Sequence, residues 1–212
     1  MKGKTVILAA GDFPKKGSEA WGELVNAARV ICCDGAAKDY LRRMKKTPFA
    51  IVGDFDSWKG PLPKGAEIVR IGEQETNDLA KAVAFCRSRG WRSPIILGAT
   101  GKREDHALGN IFRALAFGLE IATDFGRFIP VEGKRRLKVQ KGAAISVFST
   151  DPEAKVKSKG LEWPLDGVGF KNLYCATLNR ASAATVTIET DRPIYLYIAS
   201  AKSPRSSSTR LA

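Results

Sequence analysis

Phe49-Ala50-Ile51-Val52-Gly53-Asp54-Phe55-Asp56-Ser57, residues 49–57, is the stretch on which the fold turns. Its first residues are apolar without alternation, as in a strand buried on both faces, and Pro48 leads into them. Gly53 and two carboxylates then stop the run. Similar acidic or glycine-rich punctuation recurs at Cys33-Asp34-Gly35, Thr76-Asn77-Asp78, Gly98-Ala99-Thr100-Gly101 and Arg103-Glu104-Asp105-His106. In an open parallel sheet the carboxyl ends of the strands form one rim, and ligands bind there. The chain carries a formal net charge of +13. Carboxylates gathered at a rim of so basic a protein point to a divalent cation. With a glycine-rich turn and Arg103 close by, the expected ligand is a magnesium polyphosphate.

Working outward, strands and helices alternate up to about residue 125. Strands are expected at 6–10, 30–33, 49–52, 68–71, 94–97 and 121–123, and helices at 18–28, 36–46, 79–88 and 106–117. The helix at 36–46 places Ala37, Tyr40, Leu41 and Met44 on one face, and the helix at 79–88 does the same with Leu79, Ala82, Val83 and Cys86. This alternation predicts an α/β fold, a mostly parallel sheet with helices on both faces. Beyond residue 136 the sequence shows only short β-type runs, at 137–139, 144–148, 185–188 and 194–198. A small, sandwich-like, all-β domain is therefore expected after the α/β part. The domains are drawn as 1–130, 131–202 and a disordered tail at 203–212 that has almost nothing to bury.

The 212 residues are enough for a substantial core, and 44% apolar with 27% charged residues is ordinary for a soluble protein. No apolar run approaches the length of a bilayer span, and the start reads as a first strand rather than a signal peptide. The cysteines lack CxxC spacing and are expected to pack in the core, which makes the chain read as cytoplasmic. The basic residues are scattered without an aromatic-interleaved stripe. They read as a solvated surface, and neither nucleic acid nor membrane is expected as a partner.

Asp54 and Asp56 flank Phe55 after a strand. In an extended segment residues two apart project to the same side, so this pair would repel unless a cation lay between. An Asp-rich turn is the plain alternative; the other acidic loops favour the cation. Gly98 to Gly101 lies between a strand and a helix, where small residues let phosphate approach backbone amides, although the spacing is not that of a Walker A loop. Arg103 can grip phosphate by a bidentate bond. Asp105 can bind metal or orient a neighbour. His106 is the only histidine, and Asn110 follows one helical turn later on the same face. Thr76 or Asn77 suits a helix cap, and Lys81 can reach a phosphate or pair with Asp78. Trp163, beside Pro164, packs in a core or forms an aromatic wall for a flat or cationic ligand.

In this order, Asp34-Gly35-Ala36, the segment from Gly53 to Ser57, Thr76 to Asp78, Gly98 to His106 with Asn110, and Gly160 to Leu165 resemble the motifs of the thiamine pyrophosphokinase (thiamine diphosphokinase) family. The resemblance covers nearly the whole chain except the tail. It implies transfer of the pyrophosphoryl group of ATP to the hydroxyethyl oxygen of thiamine, giving thiamine diphosphate and AMP. It implies catalytic roles for Asp54, Asp56, Asp78 and Asp105, with Asp54, Asp56 and Asp78 on Mg2+. It implies ATP contacts by Asp34, Gly35, Thr76, Gly98, Thr100, Gly101, Arg103, His106 and Asn110. Trp163 and Asn179 would then meet thiamine, in a homodimer with active sites near the subunit interface. The sequence departs from the family at Lys102, where a second glycine is usual, and at Leu178, where Ser commonly precedes Asn. A pterin pyrophosphokinase sharing the ATP half-site and a basic nucleic-acid-binding protein are the rival readings. The β domain argues against the first, and carboxylates that repel phosphate without metal argue against the second.

Overall fold

The structure, a computed structural model, describes residues 3–56, 58–73, 75–173 and 175–200. The expected tail at 203–212 and Ser57 lie outside the described residues. Among the described residues two compact units emerge, one within 3–123 with 128–130, the other 124–127 with those within 131–200.

The first unit alternates β1 (Thr5–Leu8), α1 (Glu19–Val25), β2 (Arg29–Cys33), α2 (Asp34–Met44), β3 (Ala50–Gly53), β4 (Glu67–Arg70), α3 (Asp78–Ser88), β5 (Ile95–Leu97), α4 (Glu104–Ala116) and β6 (Ile121–Ala122). All its strand pairs are parallel, in the order β6-β5-β1-β2-β3-β4. Strand alternation sorts the core into two layers. Val6, Leu8, Val30, Cys32, Ile51, Ile95 and Leu97 form one cluster with Ala20 and Leu24 of α1 and Ala37 and Tyr40 of α2. The intervening Ile7, Ile31, Val52 and Ile96 are equally buried and point the other way, towards the side on which α3 packs against β1, β2 and β3. Helices thus cover both faces, which is why the strands tolerate no polar alternation.

The helix starts are written locally. Ser18 accepts from the amide of Trp21 at 3.1 Å, and Asn77 from that of Ala80 at 3.0 Å, each satisfying a donor that the helix leaves open. α2 begins two residues earlier than expected, at Asp34, which makes this carboxylate the first residue of a helix rather than the end of a strand.

The second unit contains β7 (Gly126–Lys138), β8 (Ala144–Phe148), β9 (Val156–Lys159), β10 (Ala176–Arg180) and β11 (Thr185–Ala199). The pairs β10-β8, β8-β11 and β9-β11 are antiparallel, and their inner faces bury Val147, Val156, Phe170, Ile188 and Leu196. Here the sequence reading falls short. β9 and β10 went unexpected, because Lys157, Lys159 and Arg180 break the apolar signal at their exposed positions. The runs at 185–188 and 194–198 are one strand. Pro193 does not interrupt it, since Thr187 to Thr190 pair with β9 and Tyr195 to Ile198 with β8, and the proline falls between these two ladders. Cys32, Cys33 and Cys86 are buried as expected; Cys175 is exposed, contrary to the expectation of core packing. Among the described residues no helix is long and apolar enough to cross a membrane.

Ile96 is fully buried in the strand next to β1. Ile96→Ala should cost about 2–5 kcal/mol of unfolding free energy, the range for removing a large aliphatic from a close-packed core. Urea denaturation at unchanged m-value checks this.

Candidate active site

In the first unit β1 lies between β2 and β5, so the strand order reverses there. Outside the carboxyl ends at such a reversal an open α/β sheet has its crevice. The loop after β1 and the loop after β5 meet at that point. The amide of Gly11 donates to the carbonyl of Gly98 at 2.7 Å, and that of Asp12 to the carbonyl of Thr100 at 2.8 Å. A side chain at Gly11 would bring its Cβ to 2.3 Å from the Thr100 oxygen and 2.4 Å from that of Gly98. Only glycine permits the approach. Gly11 and Asp12, just beyond the first expected strand, seat the Gly98 to Gly101 loop.

Lys102 follows this loop with φ +59°, a left-handed backbone that glycine adopts without cost. Its Nζ donates to the carbonyl of Ala10 at 2.9 Å and lies 3.8 Å from the Asp39 carboxylate. The departure from the family's glycine is therefore compensated by a tie between the two loops.

A hollow of about 220 Å³ opens at this rim. Ala9 and Ala10 follow β1, Cys33 ends β2 and Asp54 follows β3; Thr76, Asn77, Asp78 and Lys81 come from the start of α3, and His106 and Asn110 from α4. Five segments far apart in the chain thus converge. Asp34 is buried beside it, its Oδ2 accepting from the Phe55 amide at 2.8 Å and its Oδ1 from the Gly35 amide. A Cβ at Gly53 would stand 2.5 Å from the Asp34 Cγ, so glycine there makes room for the carboxylate.

Asp78 faces this negative charge. Burial, then the proximity of Asp34, push its pKa up to about 6; Lys81 opposes the rise and Asp54 adds to it. The Lys81 ammonium is buried and stands 3.8 Å from Asp78. Lys81 therefore does pair with Asp78. Glu73 closes the turn ahead of α3, accepting from the amides of Glu75 at 2.8 Å and Thr76 at 3.0 Å and from the Thr76 hydroxyl.

Several expectations need correction. Asp54 to Asp56 is not extended: Phe55 is buried at φ +64° and the Asp56 amide donates to Asp54 Oδ1 at 3.1 Å. The segment is an Asp turn, and Asp56 is exposed outside the lining of the hollow. Asp105 does not stand among the lining carboxylates. It is exposed and binds Arg103 through two contacts, Nε to Oδ1 at 3.1 Å and Nη2 to Oδ2 at 2.5 Å, which hold its pKa down to about 2. Asp105 orients Arg103. Asn110 spends its amide on the protein, donating to the Ala99 carbonyl at 3.1 Å and accepting from Asn77 at 3.1 Å. It straps the glycine loop to the cap of α3.

In the second unit Trp163 is 53% exposed, which removes the core-packing alternative. Asn179 is buried: it accepts from the Trp163 amide at 3.2 Å and donates to the Trp163 carbonyl at 2.6 Å. It holds the tryptophan's backbone instead of presenting its own amide. Leu178 sits at a register shift of β10 with φ +64° and 86% exposure, so the bulge turns Leu178 outwards while Asn179 points in.

The family description "Thiamin pyrophosphokinase, catalytic domain" matches residues 21–122, and "Thiamin pyrophosphokinase, substrate-binding domain" matches residues 126–197. The chain belongs to the thiamin pyrophosphokinase family. Thiamine pyrophosphokinase 1 of Oryza sativa subsp. japonica is 29% identical over 171 residues, covering 70% of this chain and 65% of the relative. Thiamin pyrophosphokinase 1 of Caenorhabditis elegans is 29% identical over 96 residues, 41% of this chain and 40% of the relative. The matched parts thus span less than two thirds of these relatives' lengths. The crystal structure of thiamin pyrophosphokinase from Geobacillus thermodenitrificans superposes with a TM-score of 0.71 at 18% identity, covering 94% of this chain and 98% of that one, a likeness of fold.

The raised pKa of Asp78 carries a sign. Between about pH 4 and 6 the folded chain holds more protons at this group than the unfolded chain, so its contribution to stability falls as pH climbs through that window. In metal-free protein Asp78→Asn should raise the melting temperature by a few degrees near neutral pH, and the gain should vanish near pH 4. Thermal unfolding at the two pH values checks it.

Proposed function

We propose that this chain is a thiamine diphosphokinase, transferring the pyrophosphoryl group of ATP to thiamine with release of AMP. The observation that carries the reading is the convergence of Asp34, Asp54 and Asp78 with the Gly98 to Gly101 loop at the reversal of strand order, within a chain matched by both family descriptions.

The donor set suits Mg2+. Carboxylate oxygens are the ligands it prefers, and it needs only one or two of them beside substrate phosphates. The charge crowding that lifts the Asp78 pKa is what a cation would relieve. Among the described residues no group of three or more such side chains stands at metal-binding distances, so the phosphates themselves belong to the coordination proposed. Asp54 and Asp78 would hold the ion from the hollow, and Asp56 from the exposed turn. When bound, Mg2+ would neutralise polyphosphate charge.

The protein's own groups position the reactants. Arg103, already aimed by Asp105, binds phosphate oxygens; the glycine loop, fixed by Gly11, lets a phosphate approach its backbone. Thr76 and His106 line the hollow for the nucleotide, and Asn110 keeps α3 and the loop in register. Where Asp54 and the phosphates hold the ion without it, Asp78 is the carboxylate that accepts the proton leaving the thiamine hydroxyl. Positioning and electrostatics suffice for most of this chemistry. Trp163, exposed and held by Asn179, offers an aromatic face to the cationic thiazolium. The proposed assembly is a homodimer, with thiamine at the subunit interface, acting in the cytoplasm without nucleic acid or membrane.

Incubation with ATP, Mg2+ and thiamine should yield AMP and thiamine diphosphate, whereas hydroxymethylpterin should give no diphosphorylated product. Asp54→Asn and Asp56→Asn should each cut turnover by orders of magnitude with folding intact. Arg103→Ala should weaken ATP binding or the chemical step by about 1.5–3 kcal/mol, as for hydrogen bonds to charged groups. Unchanged ATP affinity and maximal rate in Arg103→Ala would make it a surface charge only.

A further inference from the structure

A larger hollow of the first unit lies at the opposite, amino ends of the strands. It measures about 510 Å³, within the range of about 300–1,000 Å³ usual for ligand clefts. Lys4 at the entry to β1, Arg29 at the start of β2 and Arg89 after α3 line it, with Thr5, Trp91 and Ser93; no carboxylate does. Lys4 pairs with Glu23 at 3.0 Å and Arg89 with Glu67, both from outside the wall.

Arg29 is different. Among the described residues it pairs with no carboxylate. Its guanidinium lies over the Trp91 ring, 4.8 Å from the centroid, and its Nη1 reaches the Gly3 carbonyl only at 3.5 Å. Trp91 is itself held edge-on by Phe49 at 5.3 Å and Phe85 at 6.1 Å. A guanidinium held over a fixed ring has N–H donors to offer beyond the ring, and its fork suits a planar or tetrahedral oxyanion.

The C-terminus of α3 ends here, and such an end disfavours anions. Its charge is largely absorbed. Gly90, at φ +75°, turns the chain so that the amides of Arg89, Gly90 and Trp91 occupy the carbonyls of Phe85, Arg87 and Cys86.

We propose that this hollow is a second anion site, for a compact phosphate-type oxyanion, separate from the carboxylate rim. The anion bridges Arg29, Lys4 and Arg89, with the hydroxyls of Thr5 and Ser93 in reach of the same space. The phosphate comes either as free inorganic pyrophosphate or as the tail of a nucleotide.

Calorimetric titration of the full chain with inorganic pyrophosphate, in excess chelator so that no divalent cation supports the carboxylate rim, tests this. Saturable binding is expected, retained in Asp78→Asn and Arg103→Ala and weakened about tenfold or more in Arg29→Ala, as for losing a hydrogen bond to a charged group. Arg29→Lys, which keeps charge and stem over Trp91 but lacks the planar fork, should bind several-fold more weakly. A parallel titration with AMP separates the sources: binding with the same dependence on Arg29 assigns a nucleotide phosphate, and its absence assigns the inorganic anion. No saturable pyrophosphate binding, or undiminished binding in Arg29→Ala, overturns the proposal. Should Arg29→Ala fail to fold, native affinity in Arg29→Lys overturns it equally.

Discussion

The carboxyl rim depends on how closely two loops approach. The loop after β1 and the loop after β5 are joined through Gly11 and Gly98, and neither could hold its course if a side chain stood at Gly11. Everything assembled around the hollow takes its position from this contact. Asn110 reads the position of the β5 loop through Ala99 and passes it to Asn77, the cap of α3. Lys102 reads the same contact from the other side, through Ala10 and Asp39. The glycine loop is thus fixed by backbone bonds beneath and side-chain ties on two flanks, so a ligand meeting it would spend little binding energy on ordering it.

Charge is sorted along the strands. At their carboxyl ends, Asp34, Asp54 and Asp78 crowd together and one of them resists ionisation. At their amino ends, Lys4, Arg29 and Arg89 gather without a lining carboxylate. The first arrangement is unfavourable to the bare protein and so reads as built for something absent from the fold's own stability; electrostatic strain of this kind concentrates at functional sites. Asp34 shows how it is tolerated: two backbone amides satisfy its oxygens and Gly53 yields it space.

Much of this was legible in the sequence, for physical reasons that differ by element. The parallel strands announced themselves because burial on both faces leaves runs such as Ala50 to Val52 wholly apolar. The acidic punctuation located the rim because strand ends share one side of a parallel sheet. Pairings within the rim were not legible. Nothing in Arg103-Glu104-Asp105 says that the aspartate turns back on the arginine, and Asp54-Phe55-Asp56 reads as extended unless the left-handed turn of Phe55 is known. Lys81, buried among apolar neighbours on α3, gave no sign of its depth. In the second unit, half-exposed strands such as Val156–Lys159 carry too little periodic apolar character to be seen.

Pro193 has a consequence for the fidelity of folding. β11 pairs with β9, β8 and β7, and the proline occupies the gap between the stretch paired with β9 and the stretch paired with β8. A slide of a single residue would turn every inward side chain of an antiparallel strand outwards. On β11, sliding far enough in either direction would carry the proline into a position where a partner's carbonyl awaits a donor that it lacks. The residue that looked like the end of a strand acts as a register stop, and one ring closure guards the alignment of both ladders at once.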